Sequence, residues 1–193
     1  MEPSEVDQTV GPRKTIGPFG VQGIDHLALV CQDMKATVAF YEGLLGMPLV
    51  KTIELGDGGG QHFFFDAGGG NQLAFFWFSD GPKVAPGIAM PTDRPDRGNI
   101  QSAHGSMNHV AFQVQPETID NLVGRLRSAG VECSEVVNHD DSARGVSRDV
   151  HDGVFVRSIY FTDPDGIQLE FAAWTRGLNS EDIAHEPARA SRP

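Results

Sequence analysis

Residues 24–30 read IDHLALV and residues 107–114 read MNHVAFQV, two short runs in which apolar side chains alternate and a histidine stands at the same place. Such alternation is typical of half-buried β-strands. Each run is followed by apolar residues at helical spacing and then by further strand-like runs. The chain is therefore predicted to contain one β-α-β-β-β unit twice.

The helices and strands of each half are bounded by recognisable end signals. The first predicted helix follows Asp33, a candidate N-cap, and ends at Gly46, whereas the second starts near Pro116 and ends at Gly130. The predicted strands after the helices cover residues 48–55, 62–66 and 72–78 in the first half and 131–137, 155–161 and 168–174 in the second. A polar loop at 138–153 has no counterpart in the first half, and loops of this length are often functional.

The domain organisation follows from this repeat. We expect an N-terminal tail at 1–20, a first βαβββ module at 21–80, a linker at 81–106, a second module at 107–176 and a C-terminal tail at 177–193. The linker is rich in proline and glycine and has no hydrophobic periodicity, as connecting segments do.

Charge and cysteine content limit the partners and the cellular compartment that the sequence predicts. The 193 residues hold 15 basic and 26 acidic side chains, a net charge of −11. Nucleic-acid binding needs a basic footprint, and none is visible, so neither nucleic acid nor an anionic membrane is an expected partner. The two cysteines, Cys31 and Cys133, are interpreted as free thiols of a reducing compartment. With no apolar h-region and no run of about 20 apolar residues, the sequence predicts a soluble cytoplasmic protein.

Three side chains at related places predict a metal site. Aligning GNQLAF (70–75) with GIQLEF (166–171) pairs Ala74 with Glu170, while His26 and His109 are equivalent between the halves. A lone histidine on a strand is usually a hydrogen-bonded core residue, but a carboxylate in an apolar strand needs a cation or a proton. Two imidazoles and one carboxylate form a three-ligand set that leaves coordination positions open.

Two longer segments carry a family resemblance. HLALVCQDMKATVAFYEGLLGM (26–47) and SIYFTDPDGIQLEF (158–171) resemble the opening and closing segments of the vicinal oxygen chelate superfamily, in which DPDG forms a tight turn. That superfamily includes glyoxalase I, fosfomycin-resistance proteins, bleomycin-binding proteins and type I extradiol dioxygenases. The resemblance spans about residues 22–175 and implies an α+β fold, with two paired βαβββ modules forming a cupped mixed sheet around one divalent metal.

Within the superfamily the sequence is most similar to extradiol dioxygenases. Ala74 removes the fourth ligand of glyoxalase-type sites, and the segment from His151 through Tyr160 to Glu170 resembles the dioxygenase signature. The resemblance implies that His151 shuttles a proton and that Tyr160 hydrogen-bonds a substrate oxygen. One position departs from the pattern, because Asn71 aligns with an expected histidine. A missing acid or base typically costs about 10²–10⁴ in rate, unless His62 replaces it.

A substrate pocket is predicted beside the metal. By strand parity Ala74, Phe76 and Phe78 share one face, so Phe76 and Phe78 would line an apolar pocket, with Asn71 as a further substrate contact. In the polar loop, His139 with Asp140 and Asp141 is expected to be an exposed acidic surface rather than a second cation site.

The leading functional prediction is a metal-dependent extradiol-type dioxygenase that cleaves a catechol-like small molecule with O₂. Fe(II) is the expected metal at His26, His109 and Glu170, with Mn(II) or Zn(II) as alternatives. A glyoxalase-like lyase, isomerase or epimerase with a redox-inert metal is one alternative, and a small-molecule-binding resistance protein is another. Thiol transfer to fosfomycin is disfavoured here, since those chains resemble a single module that pairs as a dimer. Whether this chain forms a homodimer is left open.

Overall fold

A computed structural model of the protein describes residues 24–56, 59–81 and 107–183, together with the isolated Pro18 and Pro187. The predicted N-terminal tail and linker lie almost wholly outside these residues. The chain divides into two compact units. Of the described residues, one unit contains 24–56, 59–81, 107–110 and 162–169, and the other contains 111–161 and 170–183.

The first sheet belongs to the first unit and has four strands. Its elements are β1 (His26–Val30), α1 (Met34–Val38), a π-helical segment (Ala39–Leu44), β2 (Leu49–Leu55), β3 (Gly60–Asp66) and β4 (Gln72–Phe78). The strand order is β1-β4-β3-β2. Because β1 runs parallel to β4 while β2–β3 and β3–β4 are antiparallel, the sheet is mixed.

The second half has the same order of elements with one additional strand. These are β5 (Val110–Gln113), α2 (Ile119–Ser128), β6 (Val137–His139), β7 (Val146–Ser147), β8 (Val156–Thr162) and β9 (Gln168–Trp174), followed by a 3₁₀ turn (Ser180–Asp182). The strand order is β5-β9-β8-β6-β7. The predicted α+β fold with two related modules is confirmed. No helix in the described part of the chain is long and apolar enough to cross a membrane.

The first helix begins where the sequence predicts and then changes its winding. Asp33 accepts hydrogen bonds from the N–H groups of Lys35 (2.9 Å) and Ala36 (3.1 Å), so it is the N-cap. After Val38 the helix widens, and the N–H of Leu45 donates to the carbonyl of Phe40, five residues earlier, at 2.9 Å. Gly46 ends it with a φ of 75°, a conformation that favours glycine.

Tyr41 of the π-helical segment is the centre of the first unit's core. Its ring is fully buried against Phe75 (4.8 Å between centroids) and Phe65 (5.8 Å). Its hydroxyl donates to Oδ2 of Asp163 at 3.1 Å. Asp163 is also buried, and its Oδ1 accepts from the N–H of Ile167, which closes the DPDG turn. Burial raises the pKa of the Asp163 carboxyl, and each hydrogen-bond donor to this group lowers the free energy cost of ionising it.

The second half departs from prediction around its polar loop. The predicted strand at 131–137 is reduced to an isolated bridge between Cys133 and Phe161, and β6 begins only at its end. β6 and β7 then pair inside the predicted loop. Asn138 explains this, because its amide donates to the carbonyl of Arg148 (3.3 Å) and accepts from Nε of Arg157 (3.1 Å). Hydrophobic periodicity does not predict side-chain hydrogen bonds of this kind.

Tyr41→Phe tests the buried hydrogen bond to Asp163. Ionising Asp163 costs stability as the pH rises through its raised pKa, and the Tyr41 hydroxyl offsets part of that cost. At neutral pH we therefore expect the free energy of unfolding to fall by about 1–3 kcal/mol. The loss should shrink at low pH, where the carboxyl is protonated. Urea unfolding at neutral pH and at the lowest pH that keeps the protein folded measures both, and an equal loss at both would contradict the assignment.

Candidate metal and substrate site

His26 and His109 occupy equivalent places in the two halves. His26 is the first residue of β1, His109 immediately precedes β5, and both side chains are exposed. In each ring Nδ1 lies 2.7 Å from a side-chain oxygen of the preceding residue, which is Oδ1 of Asp25 for His26 and Oδ1 of Asn108 for His109. The two halves thus share the histidine and also the contact that orients it.

These contacts decide which ring nitrogen carries the proton. A carboxylate oxygen and an amide oxygen can only accept, so Nδ1 is the donor in both rings. In the neutral imidazole the lone pair then lies on Nε2. Metal-binding histidines commonly donate their second N–H to an oxygen in this way, which fixes the ring and makes the ligating nitrogen more basic. The orientation of His26 and His109 suits metal ligands.

Glu170 supplies a buried carboxylate in the second unit. It lies in the middle of β9 and is 6% exposed. Its Oε1 accepts a 2.5 Å hydrogen bond from Oγ of Ser158, a fully buried residue of β8. Hydrogen bonds of this length to an ionised group are strong. A cation bound at Glu170 would further offset the cost of burying its charge.

The structure does not group the three predicted ligands into one cluster. Within residues 24–56, 59–81 and 107–183, no three His, Cys, Asp or Glu side chains form a group that could hold a metal ion. The joint role of His26, His109 and Glu170 therefore stays a prediction. In donor chemistry the set fits a divalent ion, with two imidazoles of the same tautomer and one buried carboxylate.

An aromatic surface lies beside His26 on one face of the first sheet. Register pairs Phe76 of β4 with His62 of β3, and their rings stack at 3.6 Å with an angle of 11°. Phe78 stacks on Phe76 at 5.6 Å, so the two phenylalanines share a face as their parity predicts. Phe64 contacts both His62 (4.3 Å) and His26 (5.7 Å). These five residues are called the aromatic face below, and substrate binding by Phe76 and Phe78 stays a prediction.

Asn71 lies in the turn between β3 and β4. Its Nδ2 donates to the carbonyls of Gly68 (3.3 Å) and Gly69 (3.4 Å), and its N–H donates to Gly68 at 3.0 Å. The three glycines of the turn all have positive φ. The Asn71 amide thus hydrogen-bonds within the turn in this structure. Its contact with substrate stays a prediction.

Tyr160 has a histidine partner that sequence reasoning missed. It is 4% exposed on β8, and its hydroxyl lies 3.0 Å from Nε2 of His139, with the two rings edge to face. Burial, and then the charge of Glu170, raise the pKa of Tyr160, so the phenol keeps its proton at neutral pH. His139 is half-buried rather than part of an exposed loop, because β6 extends through it.

His151 lies elsewhere in the polar loop. Its side chain is exposed, its Nε2 lies 3.2 Å from Oδ2 of Asp140, and its Nδ1 accepts from the N–H of Gly153 at 3.1 Å. Both ring nitrogens therefore take part in hydrogen bonds within the loop. The structure brings His139 to Tyr160, and the predicted proton-shuttle role of His151 stays a prediction.

The fold and these residues agree with a family assignment from sequence. Residues 23–171 match the Glyoxalase/Bleomycin resistance protein/Dioxygenase superfamily. The chain belongs to this superfamily, as its opening and closing segments predict.

Individual relatives show which members of the superfamily this chain is similar to. The chain is 28% identical over 155 residues to the metallothiol transferase FosB of Lysinibacillus sphaericus, a match that covers 80% of this chain and 84% of that protein. It is 25% identical to the glutathione transferase FosA of Serratia marcescens, over 78% of this chain and 79% of that one. A similar fold occurs in the fosfomycin resistance protein FosX of Listeria monocytogenes, of which a point mutant was solved with Mn(II) and 1S,2S-dihydroxypropylphosphonic acid. The TM-score is 0.51 at 22% identity, covering 80% of this chain and 92% of that one.

These relatives overturn the predicted reaction. They are transferases and resistance proteins, so the prediction of an extradiol dioxygenase is wrong, and its Fe(II) and O₂ have no support. The reason given above for disfavouring thiol transfer is also wrong, because the FosB match spans both halves of this chain rather than a single module. What holds is the coarser prediction of a metal-binding enzyme of this superfamily that acts on a small molecule. A homodimer stays a prediction.

Asp25→Ala tests whether Asp25 orients His26 for a metal. Losing the acceptor frees the ring and removes the contact that favours the Nε2 lone pair, so we expect the affinity for Mn(II) to fall about 10–100-fold. Isothermal titration calorimetry measures it. Asp25→Asn keeps an acceptor like the one that Asn108 gives His109, and it should retain most of the affinity. Wild-type affinity in Asp25→Ala would show that Asp25 does not orient a ligand.

Proposed function

We propose that this chain is a divalent-metal-dependent enzyme that adds a thiol to a small oxygen-bearing electrophile, with fosfomycin as the first substrate to test. The observation that carries this proposal is the match of both halves to relatives named metallothiol transferase and glutathione transferase. This match favours thiol transfer over ring cleavage. The acidic balance of the chain is compatible with a small substrate.

His26, His109 and Glu170 are the proposed metal ligands. The Nδ1 contacts of both histidines support this role, because they leave the lone pair on Nε2. Such a set accepts several divalent ions. Mn(II) is the first to test, since the FosX mutant was solved with it. When bound, the ion would supply Lewis-acid polarisation of a substrate oxygen.

The proposed reaction balances without an oxidant. Fosfomycin contains an epoxide ring. The thiolate sulfur attacks one carbon of this ring, and the C–S bond forms as the C–O bond breaks. The oxygen keeps the electron pair of the broken bond and takes up one proton to become a hydroxyl. That proton replaces the one that the thiol lost, so the net change is addition of the thiol across the ring.

Tyr160 is the proposed hydrogen-bond donor to a substrate oxygen. Its raised pKa supports this role, because a phenol that keeps its proton can donate at neutral pH. His139, 3.0 Å from the hydroxyl, would hold the ring in place. Phe76 and Phe78 would contact the apolar part of the substrate and exclude water from it.

Glu170→Gln tests the metal and the reaction together. It removes the only charged group of the proposed ligand set, so we expect Mn(II) affinity to fall at least about 100-fold and thiol addition to stop. At 100 times its dissociation constant, Mn(II) should stabilise the wild type by about 2.7 kcal/mol, a rise in Tm of about 5–10 °C, and should leave the variant unchanged. Thermal scans measure the shift, and mass spectrometry of fosfomycin with glutathione or L-cysteine detects the adduct.

Glu135→Gln is the matched control, because Glu135 is an exposed carboxylate of the same unit that pairs with Arg127. It should keep both the Mn(II) shift and the adduct. A wild type that holds Mn(II) but forms no adduct with either thiol would contradict the proposed reaction. A Glu170→Gln protein that binds Mn(II) like the wild type would contradict the ligand assignment.

A further inference from the structure

His62 of the aromatic face carries a buried nitrogen that the described chain does not use. Its Nε2 is excluded from solvent and has no hydrogen-bond partner among the residues that the structure describes, where it is the only side-chain nitrogen or oxygen in this condition. The ring is held between Phe76 (3.6 Å, stacked) and Phe64 (4.3 Å). His62 as a whole is only half-buried, and a half-turn of its ring about the Cβ–Cγ bond would keep the stacking on Phe76 while moving Nε2.

Such a nitrogen lowers stability. A buried polar atom without a partner costs free energy comparable to a lost hydrogen bond, and native structures contain few of them. Phenylalanine at position 62 would stack on Phe76 equally well without that cost. Burial, and secondarily the proximity of His26, lower the pKa of His62, so the ring is neutral at physiological pH and its burial adds no charge. The neutral ring keeps one N–H donor and one acceptor.

The position of His62 indicates that its nitrogen takes part in ligand binding. His62 and His26 both contact the ring of Phe64, so the unpaired nitrogen lies on the same sheet face as a proposed metal ligand. Phe76 and Phe78 continue this face as stacked apolar rings. A small molecule held at His26 would thus meet apolar rings and one unpaired polar atom, the pattern of a specific small-molecule site.

We propose that His62 is a substrate-binding residue whose ring turns against Phe76 when a small molecule binds at the metal of His26, so that Nε2, which is excluded from solvent in this structure, hydrogen-bonds an oxygen of that molecule. The substrate class is a short, partly apolar compound with an epoxide or hydroxyl oxygen. In the ring-opening reaction Nε2–H would donate to the oxygen that gains charge as the C–O bond breaks, and the hydrogen bond would strengthen at that moment. This inference rests on the proposed function and adds to it a residue that neither the ligand set nor the closing motif contains.

The test compares His62→Phe and His62→Gln in the full chain. Phenylalanine keeps the stacking on Phe76 and removes the nitrogen, whereas glutamine keeps an amide nitrogen near the place of Nε2. Three quantities are measured: the Tm without ligand, the affinity for Mn(II), and the affinity of the Mn(II)-loaded protein for 1S,2S-dihydroxypropylphosphonic acid, the last two by calorimetry. For His62→Phe we expect a Tm about 2–4 °C higher, an unchanged Mn(II) affinity and an affinity for the diol about tenfold lower. His62→Gln should bind the diol within about threefold of the wild type.

The outcomes separate this inference from the proposed function. Equal affinity of the wild type and His62→Phe for the diol would overturn the role of His62 and leave the proposed function standing. A large loss of Mn(II) affinity in His62→Phe would also overturn it, because His62 would then act on the metal rather than on the substrate. A wild type that holds Mn(II) and binds no diol would overturn the proposed function, and the inference with it.

Discussion

The burial of the Glu170 carboxylate inside β9 constrains the second unit more than any other single feature. A carboxyl group at 6% exposure needs hydrogen-bond partners, and Oγ of Ser158 on the neighbouring strand donates to it at 2.5 Å. Tyr160 lies close enough for the charge of Glu170 to raise its pKa, and His139 contacts the phenol in turn. The equivalent residue of the first half, Ala74, is fully buried with no charge to compensate. The second sheet therefore has buried polar side chains where the first sheet has apolar ones. Only the second sheet contributes a carboxylate to the proposed ligand set.

Much of the fold could be predicted because it follows from short-range patterns. β4 and β9 have the predicted bounds, since each is a strand-like run preceded by a glycine turn. The N-cap of α1 and the end at Gly46 were also readable from residue type. The π-helical segment after Val38 was not, because an i+5 hydrogen bond leaves apolar residues at nearly helical spacing. β6 and β7 were missed since the side chain of Asn138, rather than hydrophobic burial, holds them together.

The site was less predictable than the fold. Sequence repetition pointed to His26, His109 and Glu170, but the same three-ligand set serves several reactions, so it could not select one. Asn71, which replaces the histidine expected for ring cleavage, was the residue that argued against that chemistry. His139 was hidden by the acidic residues beside it, although Val137 and His139 alternate as strand residues do. The buried nitrogen of His62 has no sequence signature at all, because it depends on which rings surround it.

The hydrogen bond between Tyr41 and Asp163 has a consequence for how the protein is made. The two residues are 122 positions apart, and the N–H of Gln32 likewise donates to Asp165, so the first unit is completed by residues near the end of the chain. At a synthesis rate of about 5–20 residues per second, Asp163 is added roughly 6–25 s after Tyr41. During that interval the strands of the first sheet have all left the ribosome, while its core tyrosine still lacks its partner. The first half is thus synthesised early and completed late, and its core residues wait for their partners for longer than their position in the chain suggests.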